Sequence, residues 1–375
     1  MGVEARRLCA HAVAAAGAGA SAKADVERAG TGERQAMKRG IALILSWLLA
    51  APALADADGP MGYLQTHARS ADPVTRLNWG LIAISVLVMV IITALLLAGM
   101  LRKRGHAPRD GNGMPEVMPD TGGASWIYIG TGVSGLVLFG VAIWVLMVLS
   151  AVAAPAGKPG LTIEVAGRQW WWEVRYLGSD VSKTLVTANE IHIPVGVPVH
   201  VRLVGGDVIH SFWIPKLAGK TDMIPGQTNT TWLQADKPGV YRGQCGEFCG
   251  AQHAHMALYV VAQDGPAFDA WMRAQLADPP VPAGGMALRG SQVFLEHCAV
   301  CHAVRGSLAG GRLGPDLTHL MSRATIAAGT LPNNLGNLEG WIANAQGIKP
   351  GSRMPPQNLS PEDLHAVTAY LQTLE

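Results

Sequence analysis

The 375-residue sequence has few charges and few cysteines, and each shortage excludes a class of protein. Charged residues make up only 15% of the chain against 49% hydrophobic residues, a balance typical of membrane proteins. The formal net charge is +2, and no basic patch is interleaved with aromatic residues, so we expect no nucleic-acid partner. Of the five cysteines, Cys9 is isolated and the other four form two close pairs, which leaves none for a structural disulfide.

Residues 1–55 have the features of an export signal preceded by extra sequence. Residues 1–36 are rich in Ala and Gly, and they are followed by the basic start Met37-Lys38-Arg39 and the apolar run Ile41–Leu49. A small-residue site ending at Ala55 completes a secretory signal peptide. The apolar run is too short for a good membrane span, although an uncleaved anchor is the alternative. We predict cleavage after Ala55 and a spurious extension before Met37.

Two long apolar runs predict a membrane hairpin within residues 56–155. The runs place helices at about 77–101 and 126–154, each long enough to cross a bilayer. The cluster Arg102-Lys103-Arg104 follows the first run, so the connecting loop is expected in the cytoplasm. Everything after residue 155 is then expected outside, which is the orientation that an export signal also requires. Neither run holds a cluster of histidines, so oxygen-reducing chemistry is not expected in this chain.

Residues 156–277 are predicted to form an all-β domain. Short runs rich in branched residues alternate with Gly- and Pro-containing turns, and such spacing favours a small sandwich or barrel. These runs are Leu161–Val165, Ile191–Ile193, Val197–Leu203 and Leu258–Val261. A short helix is expected at Phe268–Leu276. The domain should therefore be a compact β structure that ends in one helix.

The C-terminal part is predicted to be a helical domain, residues 286–375, behind a Pro- and Gly-rich linker at 278–285. Periodic apolar residues place its helices at Met286–His297, Leu338–Asn344 and Pro361–Leu374. The last has Ser360 in the capping position, with Pro and two acidic residues in its first turn.

A stretch of twelve residues between Cys245 and Met256 holds two cysteines, a histidine and a methionine. Thiolate, imidazole and thioether together are ligands of a soft, redox-active metal, copper above all. Structural zinc is the alternative for the cysteines with His253, but Met256 is a poor zinc ligand. His210 offers a second imidazole, and the second cysteine suggests two ions that share both sulfurs.

The sequence Cys298-Ala-Val-Cys301-His302 has the pattern of c-type haem attachment. Two thiols bond the haem and the adjacent imidazole becomes one axial iron ligand. A redox dithiol or half of a zinc site is the alternative, which the adjacent histidine and the exported location disfavour. The second axial ligand should lie downstream on a loop, where Met354 fits and where Met321 and His319 are its competitors. A Met/His pair raises the iron potential.

Three segments resemble subunit II of haem-copper cytochrome c oxidases, over roughly residues 60–275. They are His210-Ser-Phe-Trp-Ile-Pro215, Gly219-Lys-Thr-Asp-Met-Ile-Pro-Gly226 and Gln244-Cys-Gly-Glu-Phe-Cys-Gly-Ala-Gln-His-Ala-His-Met256. The resemblance implies a cupredoxin-like domain with the binuclear copper centre Cu(A). Its implied ligands are His210, Cys245, the backbone carbonyl of Glu247, Cys249, His253 and Met256. It further implies that the Glu247 side chain binds magnesium at the border with subunit I, whereas His255 is expected not to be a ligand.

The same resemblance gives a role to one of three adjacent tryptophans. Because strand side chains alternate in direction, these three indoles cannot all point into one core. By the resemblance, Trp170 is the residue that accepts electrons from cytochrome c; packing and anchoring at the membrane surface are the alternative. The segments Gly314-Pro-Asp-Leu317 and Met354-Pro-Pro356 resemble class I cytochromes c, which favours Met354 over its competitors and implies a proline backbone that supports the iron-binding histidine.

The sequence therefore predicts a multidomain membrane protein with a two-helix transmembrane hairpin, an all-β cupredoxin-like domain and an all-α cytochrome c domain. The predicted function is that of subunit II of an aa-type cytochrome c oxidase in a bacterial inner membrane, with both cofactor domains on the periplasmic side. Its expected partners are subunits I and III, membrane lipid, and cytochrome c or another donor. The alternatives are the electron-accepting subunit of a nitric oxide reductase and a free-standing, membrane-tethered electron carrier; a copper-free quinol oxidase subunit is disfavoured by the complete ligand set.

One position departs from the family pattern. Many family members have a glutamate three residues before the tryptophan that opens the second membrane helix, near a proton entrance, and Gly123 stands there when Trp126 is the anchor. Glu116 or Asp120 would have to substitute for it, or the proton route differs.

Overall fold

The computed structural model describes residues 59–102, 123–155, 157–180, 183–282 and 284–375. The predicted signal segment with Cys9 and Met37 lies outside these residues, as do Glu116 and Asp120. Two long apolar helices are followed by a β-rich domain and then by a mainly helical region. The fold class predicted from the sequence is confirmed.

The two apolar helices are α1, Asp72–Leu101, and α2, Gly123–Val152. Each has 30 residues, about 45 Å at 1.5 Å per residue, and is long and apolar enough to cross a membrane. Helix α1 begins before the predicted position because Asp72 and Pro73 supply a favourable first turn. The helices approach closely at Gly80, where a Cβ atom would lie 2.2 Å from the Trp144 ring, so glycine is required by the packing.

Ten strands form the β domain. In chain order β1 to β10 are Leu161–Arg168, Trp171–Tyr176, Leu185–Ala188, Glu190–Pro194, Val199–Gly205, His210–Phe212, Thr221–Met223, Thr228–Leu233, Gly239–Gln244 and Ala257–Gln263. One sheet has the order β3-β2-β1-β5-β8 and another the order β4-β10-β9, while β6 and β7 pair with each other. The pairs β1–β5 and β4–β10 are parallel, and the others are antiparallel.

The core of the β domain follows from alternation along its strands. In β5, Val199, Val201 and Leu203 are fully buried while the residues between them are partly exposed. The three buried residues belong to one apolar core together with Ile191 of β4 and Val260 of β10. Helix α3, Gly265–Leu276, closes the domain and is capped by the Asp264 side chain, which accepts from the Ala267 N–H.

The C-terminal region has its own apolar core, built around two helices that pack closely. Its helices are α4, Gly285–His297; α5, Leu335–Ala343; α6, Ala345–Ile348; and α7, Pro361–Leu371. At Gly290 of α4 a Cβ atom would collide with the Ala366 carbonyl of α7, and Phe294 meets Tyr370 edge-on at 5.5 Å between ring centroids. Two short strands, β11 Thr325–Ile326 and β12 Leu331–Pro332, form a hairpin that the sequence analysis did not predict.

The β domain is attached to the membrane hairpin at two places. The Ser70 hydroxyl, just before α1, donates to the Leu217 carbonyl. The indole N–H of Trp232 in β8 donates to the carbonyl of Val152, the last residue of α2, at 2.9 Å. Because the final carbonyls of a helix have no partner within it, this indole satisfies a group that the helix leaves open.

Candidate copper and haem centres

A buried cluster of sulfur and nitrogen atoms lies where β6, β9 and the loop before β10 meet. The Cys245 and Cys249 sulfurs are 3.8 Å apart, and each residue is 3% exposed. His210 is fully buried, and its Nδ1 lies 3.8 Å from the Cys245 sulfur. One ligand atom from each of these three residues falls within 4.8 Å of the others, a spacing that suits a shared metal.

Each sulfur has its own pair of further candidate donors. The Cys245 sulfur lies 3.2 Å from the Glu247 carbonyl oxygen, in addition to His210. The Cys249 sulfur lies 3.7 Å from His253 Nδ1 and 3.8 Å from the Met256 sulfur. The structure thus brings together all six donors that the sequence suggested, although they come from positions up to 46 residues apart in the chain.

Asp207 orients the buried histidine. Its carboxylate lies 2.9 Å from His210 Nε2 and also accepts the backbone N–H groups of Gln169 and Val208, both at 2.8 Å. Burial alone would lower the pKa of His210, but the hydrogen bond with Asp207 raises it above its ordinary value. A carboxylate on the outer nitrogen fixes the ring and leaves Nδ1 facing the sulfurs, as in many metal sites. Asp207 was not predicted from the sequence, where its only signal is a carboxylate three residues before a histidine.

The two thiols affect each other's ionisation. The pKa of Cys245 lies far below its ordinary value, because the Cys249 thiol donates to its sulfur and His210 and backbone groups stabilise the thiolate. The pKa of Cys249 is raised by its hydrogen bond to the Cys245 thiolate and by burial. The site therefore holds one thiolate readily, and a bound cation is needed to hold two, since ligand thiols must lose their protons.

Two nearby side chains of the motif stand apart from this cluster. His255 is exposed and its Nδ1 lies 2.7 Å from the Gln252 side-chain oxygen. The Glu247 carboxylate is exposed and lies 3.7 Å from the Lys220 ammonium, while only the Glu247 carbonyl faces the sulfurs. The donor set is therefore two thiols, two imidazoles, a thioether and a carbonyl, and its softness fits copper better than zinc.

The haem-attachment histidine is held by backbone atoms. His302 Nδ1 donates to the Pro315 carbonyl at 2.8 Å, which leaves Nε2 as the free nitrogen. A Cβ atom at Gly314 would lie 2.6 Å from the His302 ring, so this glycine makes room for the imidazole. Burial lowers the pKa of His302 below its ordinary value, which keeps the imidazole neutral as an iron ligand must be.

Gln346 organises the loop that carries Met354. Its side-chain nitrogen donates to the carbonyls of Ser352 at 2.6 Å and Met354 at 2.7 Å, and its oxygen accepts the Gly351 N–H at 3.0 Å. Of the competing ligands, His319 has both ring nitrogens against backbone carbonyls, those of Ala277 and Glu375. Met321 packs on the apolar core of the same domain.

Arg323 offers a test of whether this region fits a haem. The residue is 8% exposed, and its Nε has no hydrogen-bond partner within the described part of the chain. A terminal nitrogen of the same guanidinium donates to the Asp316 carbonyl, close to the loop that supports His302. A buried unpaired donor requires an acceptor, and a haem propionate supplies a carboxylate of the right charge.

The three tryptophans have different environments. Trp172 is fully buried in the core beside Phe212. Trp171 is half-buried, with the Arg168 guanidinium 5.8 Å from its ring centroid. Trp170 is also half-buried, and its indole N–H donates to the Cys249 carbonyl at 3.0 Å. The indole of Trp172 also donates, at 3.4 Å, to the Met256 carbonyl, so Trp170 and Trp172 both contact the backbone of the Cys245–Met256 stretch.

Two protein families match successive parts of the chain. Residues 177–263 match the family described as the periplasmic domain of cytochrome c oxidase subunit II, and residues 287–375 match the cytochrome c family. We therefore refer to the β-rich region as the subunit II domain and to the C-terminal helical region as the cytochrome c domain, after the families that they match. The first match contains the six candidate copper donors, and the second contains Cys298, Cys301, His302 and Met354. The two domains imply that copper and haem c are bound.

Curated relatives agree with this assignment. A cytochrome c oxidase subunit 2 of Alkalihalophilus pseudofirmus is 41% identical over 221 residues, which are 58% of this chain and 63% of the relative. One of a Bacillus species is 34% identical over 230 residues, again 58% of this chain and 63% of the relative. The chain thus spans less than two thirds of the length of these relatives.

One solved structure is similar to the subunit II domain. The periplasmic domain of subunit II of cytochrome oxidase from Bradyrhizobium japonicum has 32% sequence identity and a TM-score of 0.30. The match covers 32% of this chain and 96% of that structure.

Proposed function

We propose that this chain is subunit II of an aa-type cytochrome c oxidase, the subunit that receives electrons for an oxygen-reducing site in subunit I. When bound, haem c and a binuclear copper centre supply one-electron transfer at nearly fixed geometry. The observation that carries the proposal is the six-donor cluster of the subunit II domain in one chain with a haem-attachment motif. The oxygen chemistry is assigned to another chain.

The arrangement around the sulfurs supports two copper ions rather than one. Cys245 is accompanied by one imidazole and one carbonyl, and Cys249 by one imidazole and one thioether. Each sulfur thus has a strong and a weak donor beside it, which suits two ions that share both thiolates. We propose as copper ligands His210, Cys245, the Glu247 carbonyl, Cys249, His253 and Met256.

For the haem we propose attachment through Cys298 and Cys301, with His302 and Met354 as axial iron ligands. The free Nε2 of His302 and the fixed loop around Met354 support this pair. The proposed domain boundaries are residues 56–155 for the membrane hairpin, 156–277 for the subunit II domain, 278–285 for the linker and 286–375 for the cytochrome c domain.

Trp170 is proposed as the residue through which electrons reach the copper site. Its indole donates to the Cys249 carbonyl, and its own carbonyl accepts from Lys349 of the cytochrome c domain at 2.9 Å. The donor in this position is then the attached haem domain. An external cytochrome c, or another donor, would act on that domain. Glu247 is proposed as a magnesium ligand at the border with subunit I, since its carboxylate is partly exposed two residues after Cys245.

The proposed location is the bacterial inner membrane. Both apolar helices expose their side chains along their length, as expected of surfaces covered by lipid or by other subunits. The proposed partners are subunits I and III and membrane lipid, with the β and haem domains on the periplasmic side.

Optical and electron paramagnetic resonance spectra of the purified full chain, with metal analysis, test the proposal. We expect one low-spin haem c and two coppers per chain that share one unpaired electron. A zinc-only analysis would contradict the copper assignment. Oxygen uptake by the purified complex is expected, whereas nitrous oxide production would favour the nitric oxide reductase alternative. Purification without a large polytopic subunit would favour a free-standing carrier.

A further inference from the structure

Residues 324–333 of the cytochrome c domain form a hairpin that lies against the subunit II domain; we name it the docking hairpin. It comprises β11, β12 and the turn between them. At its start the Ala324 N–H donates to the Glu190 carboxylate of β4 at 3.0 Å. At its tip the Ala328 carbonyl accepts the N–H of Ala257, the first residue of β10, at 3.0 Å. The hairpin therefore bonds the first residue of each of two neighbouring strands, β4 and β10, in the other domain.

The tip of the docking hairpin has an unusual backbone. Three successive residues, Ala327, Ala328 and Gly329, have positive φ angles of 54°, 57° and 75°. Alanine rarely adopts this conformation, and surrounding contacts must hold it. Here the Ala328 carbonyl is bonded across the interface by the Ala257 N–H, while the Ala327 carbonyl is held by Lys349 of the same domain. A strained turn that presents a carbonyl to another domain points to a role in docking.

Gly329 fits closely against the subunit II domain. A Cβ atom at this position would lie 2.9 Å from the Ala257 Cβ and 3.1 Å from the Tyr259 ring. Ala257 directly follows Met256, which is one of the proposed copper ligands. The hairpin tip thus rests on the end of the chain segment that forms the copper site.

Lys349 connects the same tip to Trp170. It is 2% exposed, and its ammonium donates to the Ala327 carbonyl at 3.1 Å and to the Trp170 carbonyl at 2.9 Å. Beside it, Gln252 donates to the Pro350 carbonyl at 2.6 Å and Arg353 donates to the Gln169 side chain at 2.5 Å. The loop leading to Met354 is therefore fixed beside Trp170 on the subunit II domain.

Glu190 is buried and oriented on the receiving side. One carboxylate oxygen lies 2.9 Å from His192 Nε2, and the other accepts from Ala324. His192 in turn stacks on Trp271 at 4.1 Å between ring centroids. Although burial alone would raise the pKa of Glu190, hydrogen bonds from His192 and Ala324 hold it below its ordinary value. His192 pairs one oxygen from within the domain, and the other oxygen has its partner in the cytochrome c domain, whose loss would leave a buried acceptor unpaired at a cost in free energy.

We propose that the docking hairpin and Lys349 hold the cytochrome c domain in one fixed position on the subunit II domain, with the Met354 loop beside Trp170. Glu190 and Lys349 are positioning residues in this proposal, since neither is a proposed cofactor ligand. The inference deepens the proposed electron-relay function and rests on it. It excludes a haem domain that swings freely on the linker between visits to the copper site.

A pair of glycine variants of the full, cofactor-loaded chain tests the proposal. Gly329→Ala adds a methyl group into the interface, and Gly196→Ala is its control. Gly196 has nearly the same φ, 76° against 75°, but nothing lies within 4 Å of its added Cβ. Both variants carry the same backbone strain, so only Gly329→Ala should separate the domains.

The first measurement is amide hydrogen exchange of peptides that contain Ala257 and Ala324. We expect at least tenfold faster exchange in Gly329→Ala, and exchange within twofold of the parent in Gly196→Ala. Equal exchange in the two variants would overturn the proposal. This measurement does not depend on electron transfer, so it remains informative even when the proposed function fails.

The second measurement is the rate of electron equilibration between haem c and copper after a light pulse reduces the haem. We expect at least a fivefold fall in Gly329→Ala and in Lys349→Met, with unchanged haem and copper spectra. Lys158→Met, at an exposed lysine, is the control for the latter and should stay within twofold of the parent. Unchanged rates in both interface variants would also overturn the proposal, whereas a parent protein without copper would instead contradict the proposed function.

Discussion

The copper site and the haem site are assembled in opposite ways. The copper donors are spread from His210 to Met256 and meet only because β6, β9 and the loop before β10 converge. Of the four residues proposed to hold the haem, three lie within five positions directly after α4, and only Met354 is remote. A site distributed over a sheet framework depends on the whole domain, whereas a local motif depends on its neighbouring turn. A substitution that removes copper should therefore leave the haem content unchanged, and a substitution that disturbs the haem should leave the copper content unchanged.

The sharpest test of this independence is Cys245→Ser. A serine oxygen is a poor replacement for a bridging thiolate, and the Cys249 sulfur 3.8 Å away then lacks its partner. We expect copper content to fall at least 100-fold and oxygen uptake to fall to background, with haem c content unchanged. Metal analysis and the haem absorbance of one sample measure both. A parallel loss of haem c would show that the two sites are not independent.

A smaller effect is expected from Asp207→Asn, which keeps the shape of the group that orients His210 but removes its charge. Loss of such an outer-shell carboxylate commonly lowers metal affinity 10- to 100-fold. Competition with a copper chelator measures this affinity. Asp222→Asn is the control, because that exposed side chain lies in β7 and is not among the groups that contact His210. Equal affinities in the two variants would remove Asp207 from the site.

The converse test for the haem site is Gly314→Ala. The added methyl group would lie 2.6 Å from the His302 ring and push it away from the Pro315 carbonyl. Overpacking of this kind costs about 2 kcal/mol, so we expect a destabilised cytochrome c domain with a weakened histidine–iron bond and normal copper content. Gly310→Ala is the matched control, since nothing lies within 4 Å of its added Cβ. Denaturant unfolding followed at the haem band distinguishes the two.

The smallest expected effect is on the pH dependence of stability. It arises from Lys349, which lies between the subunit II domain and the cytochrome c domain. Burial lowers the pKa of Lys349 from about 10.5 to about 8. Between these values the folded chain has released a proton that the unfolded chain retains, so the free energy of unfolding should rise with pH. We expect a rise of about 1 kcal/mol between pH 8 and pH 9 from this group. Urea titrations should show the rise in the parent and not in Lys349→Met; equal slopes would contradict it.

The sequence was most informative where the residues that bind a cofactor are close together in the chain. The cysteine-rich loop and the haem-attachment pattern each place several donors within a few positions, so residue type and spacing suffice to propose a metal and a cofactor. The alternation of Val199, Val201 and Leu203 likewise predicts a strand with one buried face, which the structure contains. In these cases the residue types and their spacing within one segment are enough to predict its structure or its ligand.

Features that depend on contacts between distant segments were not predicted. Asp207 resembles any turn residue until the fold places it against His210 Nε2. The tip of the docking hairpin contains two alanines, which favour helices, yet both have left-handed backbones. The Ala328 carbonyl is bonded from the other domain by Ala257, and the Ala327 carbonyl is bonded by the distant Lys349 of its own domain. Glu190 carries no motif at all. Its role is visible only where β4 meets the cytochrome c domain.

The two attachments between the β domain and the membrane helices fix a direction as well as a height. The segment before α1 is held through Ser70 and through backbone bonds of His67 with Lys216 and Asp236. The bond from the Trp232 indole to the Val152 carbonyl lies at the other helix, so the domain is held at both helices. The face that carries the copper donors therefore keeps one orientation relative to the two helices. The acceptor subunit that we propose beside these helices would meet the same side of the domain each time.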